Sequence, residues 1–239
     1  MESNLTLHLQ YRPPFEAPSL LAFLQRRATP GVEEVVNGCY RRTAFLPGSQ
    51  GIIELEPIKE TNFVKLRLQL NDLSDQNTLV QRCRNLFDLD AVPQTIDSAL
   101  VTDPLLAPLV RARPGLRIPG AIDGFELTVR AILGQQVSVA GARTLAARLV
   151  TALGKPLDQP DGTLTHFFPT PYALAQSDLQ GLGLTSSRIT ALQAFSKIVI
   201  EEDLVLSPSA DREHTITRLL QIPGIGPWTT SYIAMRALG

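Results

Sequence analysis

The stretch Leu219-Leu220-Gln221-Ile222-Pro223-Gly224-Ile225-Gly226-Pro227-Trp228-Thr229-Thr230 constrains this chain more than any other. It reads as helix, tight turn, helix. Ile216, Leu219 and Leu220 have the spacing of one apolar helical face. Pro223 and Gly224 then stop that helix, since proline lacks an amide hydrogen and glycine takes backbone angles that other residues avoid. Gly224 and Gly226 bracket a turn with no side chains in the way, and a new helix begins near Trp228. Such a turn leaves amides at a helix N-terminus unpaired and pointing outward, which binds an anion without basic side chains. Pro-Gly-x-Gly alone also occurs in ordinary turns. The apolar helix before it and Trp228-Thr229-Thr230 after it raise the reading above that.

Charge decides how such a chain could hold an anionic polymer. Lys and Arg number 22 against 23 Asp and Glu, a net charge of −1, so bulk attraction to nucleic acid is excluded. Any grip must come from helix N-termini and local patches. Arg111, Arg113, Arg117 and Arg130 are one candidate patch, equally explicable as a solvated surface. An apolar fraction of 44% over 239 residues allows a sizeable core, divided among one to three domains. No apolar run approaches a membrane span, and no basic region followed by an apolar stretch opens the chain. The two cysteines, Cys39 and Cys83, show neither metal-ligand spacing nor a disulfide framework. A reducing, cytoplasmic setting is expected.

The first ninety residues have strand character. Leu5, Leu7, Leu9 and Tyr11 alternate, as do Val64, Leu66, Leu68 and Leu70, with a weaker alternation at Ile53, Leu55 and Pro57. Leu20, Leu21, Phe23 and Leu24 predict a helix with Ser19 as its cap, and Leu79, Cys83, Leu86 and Phe87 a second. Residues 1–90 therefore read as an α+β unit, an antiparallel sheet with helices on one side. Pro104, Pro108, Pro114, Gly115, Pro119 and Gly120 mark 91–120 as a connecting segment. Residues 121–239 read as all-α. Asp123 with Glu126 suggests a capping box opening a helix through Leu133. Gly134-Gln135-Gln136 interrupts, and a helix carrying Val137, Leu145 and Leu149 follows. Further helices are expected near Tyr172–Ala175, Ser187–Glu201 and His214–Ile222, with 154–171 as a long loop. Leu179-Gln180-Gly181-Leu182-Gly183-Leu184 is either a degenerate echo of the hairpin turn or a glycine-terminated helix.

Three blocks in order carry a resemblance: the run from Arg113 to Gly120 (RPGLRIPG), the run from Phe125 to Ala140 (FELTVRAILGQQVSVA), and Ile222 to Thr230 (IPGIGPWTT). Together they resemble 3-methyladenine DNA glycosylase II of the AlkA type, in the helix-hairpin-helix DNA glycosylase superfamily. The similarity runs over essentially the whole chain, including Leu86-Phe87-Asp88-Leu89 at the close of the N-terminal sheet region. The resemblance implies hydrolysis of the N-glycosidic bond of alkylated bases such as 3-methyladenine and 7-methylguanine, in base excision repair of double-stranded DNA. It implies a bacterial, DNA-associated protein, expected to act as a monomer and to need no cofactor.

The same resemblance assigns positions. Phosphate binding falls to Gly224, Ile225, Gly226 and Thr229 of the hairpin. A monovalent cation such as sodium would sit on the carbonyls of Leu220, Ile222 and Gly224. The wedge that fills the gap left by a flipped base aligns with Gln136, where a polar loop tip with no role is the plain alternative. Trp228, the only tryptophan, and Tyr232 four residues on would line the base pocket. An electron-rich ring favours a cationic base by roughly 0.5 to 2 kcal/mol. In bifunctional, endonuclease III-like relatives a lysine stands where Trp228 is and attacks the sugar. Trp228 cannot, and no four-cysteine iron–sulfur cluster is present, so the reading is a monofunctional enzyme.

The family's catalytic aspartate, which stabilises the oxocarbenium-like sugar or orients water, would lie beyond Gly239. No acidic residue follows Asp211 and Glu213. The 239-residue chain is thus expected to contain no catalytic residue, to bind DNA weakly and to excise little or nothing. The competing class is a non-catalytic binder of damaged or distorted DNA. A third is an interaction scaffold without nucleic acid.

Overall fold

The apolar alternation of the first seventy positions builds one antiparallel sheet. The computed structural model describes residues 3–202 and 204–239. Five strands, β1 (Ser3–Gln10), β2 (Glu33–Val36), β3 (Cys39–Phe45), β4 (Gln50–Pro57) and β5 (Phe63–Leu70), lie in the order β1-β5-β4-β3-β2. Leu5, Leu7 and Leu9 stand opposite Leu68, Leu66 and Val64, and Ile53 and Leu55 opposite the same Leu68 and Leu66. One register therefore puts every alternating leucine on one face. Against that face pack α1 (Ala17–Arg27), through Leu20 and Leu24, and α2 (Gln76–Leu86), through Leu79, Cys83 and Leu86. The other face is a charged ladder in which Glu54 takes Arg41 at 2.7 Å and Arg67 at 2.6 Å.

The sequence pattern did not announce β2 and β3. Most of β3 is buried, and its Arg42 is paired with buried Glu33 at 3.8 Å, with the Tyr40 hydroxyl donating to the same carboxylate. A buried ion pair writes polar letters into core positions and erases the alternation. Ser19 is not the cap of α1 either. Glu16 stands at that position, and Ser19 lies in the first turn with its hydroxyl donating to the Glu16 carboxylate at 2.9 Å.

The chain forms two compact units: Met1–Ala28 with Glu33–Ile122, and Thr29–Val32 with Asp123–Gly239. The segment expected as a connection, 91–120, lies in the first unit and holds α3 (Pro93–Leu100) and α4 (Ala107–Ala112). Pro93 and Pro108 start these helices rather than break them, because a first-turn residue has no helical use for an amide hydrogen. Gly115 sits at φ +71°, and a Cβ there would lie 2.3 Å from the Pro14 carbonyl oxygen. Nearby, Arg117 is only 5% exposed, donating to the carbonyls of Arg12 at 2.6 Å and Asp88 at 2.5 Å. It belongs to the interior of the first unit. Of the expected patch of Arg111, Arg113, Arg117 and Arg130, buried Arg117 offers no exposed charge, and Arg130, in the second unit, pairs with Glu126 at 3.0 Å.

The second unit is built on helices α5 (Gly124–Leu133), α6 (Val139–Leu153), α7 (Pro171–Gln176), α8 (Ser186–Glu201), α9 (Arg212–Leu220) and α10 (Pro227–Ile233), the last running into a π-helical turn at Ala234–Leu238. Every residue of α5 but Arg130 is buried, which makes it the central helix. Phe125 stacks on Phe195 of α8 at 5.3 Å between centroids. Asp123 caps α5, accepting from the Glu126 amide at 2.9 Å. The all-α expectation needs one correction. Within 154–171, read as a loop, β6 (Pro156–Asp161) and β7 (Leu164–His166) pair antiparallel. Gly31 joins them, its carbonyl accepting from the Thr165 and His166 amides at 2.8 and 3.0 Å. A three-residue strand is too short to show a period.

Candidate nucleic-acid interface

The hairpin forms where the glycines and prolines placed it. After α9 the Ile222 amide donates to the Leu219 carbonyl at 3.1 Å, and the Ile225 amide to the Ile222 carbonyl at 3.0 Å. Gly224 is at φ +87°, and a Cβ there would come within 3.1 Å of the Ala191 methyl on α8. That turn needs glycine twice over, for its backbone angle and for the close approach. Ile222 and Ile225 point into the core and hold the turn to it.

Helix α10 begins at this turn without a side-chain cap. Asp123, Ser138, Thr170, Thr185 and Asp211 cap the other five helices of the unit through their side chains, whereas Gly226 at the start of α10 offers none. Gly226 has φ −96° and ψ 178°, angles open to any residue, and nothing lies within 4 Å of where its Cβ would be. Neither backbone nor packing within the chain requires this glycine.

The four expected phosphate positions come together here but are not alike. Gly224 and Gly226 are exposed, while Ile225 and Thr229 have buried side chains. The Ile225 amide is engaged inside the turn, and the Thr229 hydroxyl faces inward to Gln135. Of the three carbonyls expected to hold a cation, Ile222 and Gly224 each accept one hydrogen bond, at 3.0 and 2.8 Å, and keep a second lone pair. Leu220 ends α9, where carbonyls lack helical partners. This donor set suits a monovalent ion held by backbone oxygens. No group of three or more His, Cys, Asp or Glu residues able to hold a metal occurs among the described residues.

Trp228 and Tyr232, one helical turn apart on α10, stack with planes 4° from parallel and centroids 5.8 Å apart. Trp228 is 74% exposed, so most of its indole meets solvent. The Arg236 guanidinium lies 5.5 Å from the centre of the Tyr232 ring and donates to its hydroxyl at 2.6 Å. No sequence pattern pointed to Arg236, because the π-helical turn in which it lies shifts the helical period.

Gln136 sits at the tip of the α5–α6 loop, exposed, at φ +54°. Its neighbour Gln135 is fastened down: its Nε2 donates to the Gly224 carbonyl at 2.8 Å and to the Thr229 hydroxyl at 3.1 Å. Three acids of this unit are committed elsewhere. Asp211 caps α9, accepting from the His214 amide at 3.0 Å, Glu202 pairs with Arg218, and Glu126 with Arg130. Cys39 and Cys83 are free and buried in the first unit, their thiols pushed up by burial to about 11 and about 12. No helix among the described residues is long and apolar enough to cross a membrane.

Comparison with known proteins places the chain as a whole. The AlkA N-terminal domain family matches residues 6–123. DNA-3-methyladenine glycosylase 2 of Escherichia coli is 36% identical over 233 residues, covering 95% of this chain and 79% of that protein. The probable bifunctional transcriptional activator/DNA repair enzyme AlkA of Mycobacterium tuberculosis is 42% identical over 236 residues, which is 99% of this chain but 47% of the relative. The chain thus spans about half the length of that relative. Among solved structures, a 3-methyladenine DNA-glycosylase from Archaeoglobus fulgidus superposes with a TM-score of 0.79 at 22% identity, over 98% of this chain and 80% of the other. By the match to the Escherichia coli protein, this chain belongs to the AlkA family of DNA-3-methyladenine glycosylases.

Proposed function

We propose that the chain grips double-stranded DNA and presents a flipped, alkylated base for removal, as part of a monofunctional glycosylase that hydrolyses the N-glycosidic bond. One observation carries this reading: Trp228, 74% exposed and backed by Tyr232, stands at the first turn of an uncapped helix that follows a glycine turn. In this reading a phosphate meets the backbone around Gly226, where no side chain stands in the way. A sodium ion on the carbonyls of Leu220, Ile222 and Gly224 would add positive charge beneath it, and no other cofactor is needed. Gln136 enters the gap left by the base and can hydrogen-bond the orphaned partner. A base alkylated to a cation gains about 0.5 to 2 kcal/mol over the indole face. The protein would act as a monomer in the bacterial cytoplasm. We assign no catalytic carboxylate among the described residues; Asp211, Glu202 and Glu126 already cap or pair.

Trp228 is also the built-in reporter, as the only tryptophan. A duplex with a single alkylated purine should quench its fluorescence strongly, and an intact duplex of the same sequence only weakly. Trp228→Ala should cut the preference for the damaged duplex by about 5- to 150-fold, the loss of one base stacked at ~1 to 3 kcal/mol. Equal quenching by both duplexes, with an unchanged preference in the variant, would leave a binder of distorted DNA without a base pocket. Base release by the 239-residue polypeptide would show that a carboxylate within it serves the chemistry.

A further inference from the structure

We infer that Gln135, rather than acting on DNA itself, ties the wedge loop to the hairpin so that the two engage one lesion as a single rigid piece. The inference rests on the base-flipping reading above. Gln135 is held from three sides. Its side-chain amide nitrogen donates to the Gly224 carbonyl at 2.8 Å and the Thr229 hydroxyl at 3.1 Å, one on each side of Gly226. Its backbone carbonyl accepts from the Arg188 guanidinium near the start of α8. The loop is also fixed at both ends. Gly134 donates to the Arg130 carbonyl at 3.0 Å, and Ser138 caps α6 by accepting from the Gly141 amide at 3.1 Å.

Between these anchors stands Gln136, whose side chain makes no hydrogen bond among the described residues. Its φ of +54° costs roughly 1 kcal/mol or more for a residue with a side chain. Such a conformation persists only where its surroundings fix it. The anchors on Gln135 supply that fixing, and they end on the two residues that flank the phosphate-facing glycine. A side chain on a free loop would insert into DNA only after losing its conformational freedom. On a loop bolted to the hairpin, the tip is already placed when the backbone is gripped.

The functional consequence divides grip from insertion. Affinity for intact duplex depends on the hairpin amides and should not need Gln135. Discrimination of a site that can be opened should need it. Gln135→Met keeps the shape of the side chain and removes its hydrogen bonds, and Gln135→Ala removes both. The probe is a duplex with 2-aminopurine opposite an abasic site analogue, next to an intact control, titrated with the 239-residue chain. Wild type is expected to raise the 2-aminopurine fluorescence and to prefer the abasic duplex. Gln135→Met should keep affinity for intact duplex within about threefold. It should lose most of the fluorescence rise and about tenfold of the preference, ~1.4 kcal/mol. Gln136→Ala should give the same loss, and the double variant no more than either alone, because tether and tip act in one step. If Gln135→Met behaves as wild type, Gln135 only fills space and the inference is overturned. An additive double variant overturns it as well. If wild type itself shows neither preference nor fluorescence rise, the base-flipping reading fails first, and this inference with it.

Discussion

Gly226 and Arg117 show how far one residue's chemistry depends on where the chain puts it. Gly226 has ordinary backbone angles and empty space where a side chain would go, so an alanine would fit and would reduce the freedom of the unfolded chain. Gly226→Ala should therefore leave the urea midpoint unchanged or slightly raised. DNA affinity should nevertheless fall about tenfold, because on the proposed reading the methyl would stand where a phosphate approaches the backbone. An affinity equal to wild type would remove the turn from the interface. Gly226 was legible in the sequence because a glycine just after Pro-Gly-Ile and just before a helix-starting proline marks a bare backbone at a helix N-terminus. Arg117 was not. In the sequence it looks like one of a basic cluster, while the fold surrounds its guanidinium with backbone carbonyls and the Phe15 ring at 5.2 Å. Burial drives its pKa down, opposed by Asp88. An arginine buried for structure and one held out for phosphate have the same letter, and only the third dimension separates them.

At the scale of elements, legibility followed periodicity. Strands β1, β4 and β5 alternate, and their leucines face one core. The ladder on the opposite face offers a test of what holds these strands in register. Burial raises the Glu54 pKa, but hydrogen bonds from Arg67 and Arg41 outweigh it and leave the carboxyl below the usual glutamate range. A depressed folded pKa adds stability above the ordinary glutamate value, and that stability is lost as pH falls through the folded value. Glu54→Gln should thus cost about 1 to 2 kcal/mol at pH 7, measured by urea unfolding. The gap to wild type should close on acidification, since the protonated glutamate then resembles glutamine. A gap constant down to about pH 2 would assign the effect to packing. The hairpin strands β6 and β7 were illegible for a different reason. They are short, and one of their partners, Gly31, lies more than a hundred residues earlier in the chain.

For the whole molecule, net charge sets the style of DNA binding. With 22 basic and 23 acidic residues, bulk charge adds no attraction for phosphates, and Arg41, Arg67, Arg84, Arg130 and Arg218 are paired to carboxylates. Log affinity should fall with log salt with a slope of about −2 to −4, the release of counterions from two to four phosphates. A slope near about −8 would instead point to a broad basic surface. The two-part character of the chain was readable from the shift from alternation to helical periodicity near position 120. The boundary itself was blurred, because prolines that start helices look in sequence like those that break them.

The stacked pair on α10 also sets limits on selection. Two rings 5.8 Å apart at their centroids leave no slot for a third ring between them, since that needs about 7 Å, two contacts of ~3.5 Å. On the base-flipping reading proposed above, a base would meet only the outer side of the indole. Such a platform weighs its guest by charge and by area of overlap, and is blind to outline. Small and large lesions, purine or pyrimidine, would rest on it equally well if they carried the same charge. Breadth of repertoire is then the natural state of this element, and narrowness would have to be added by walls around it.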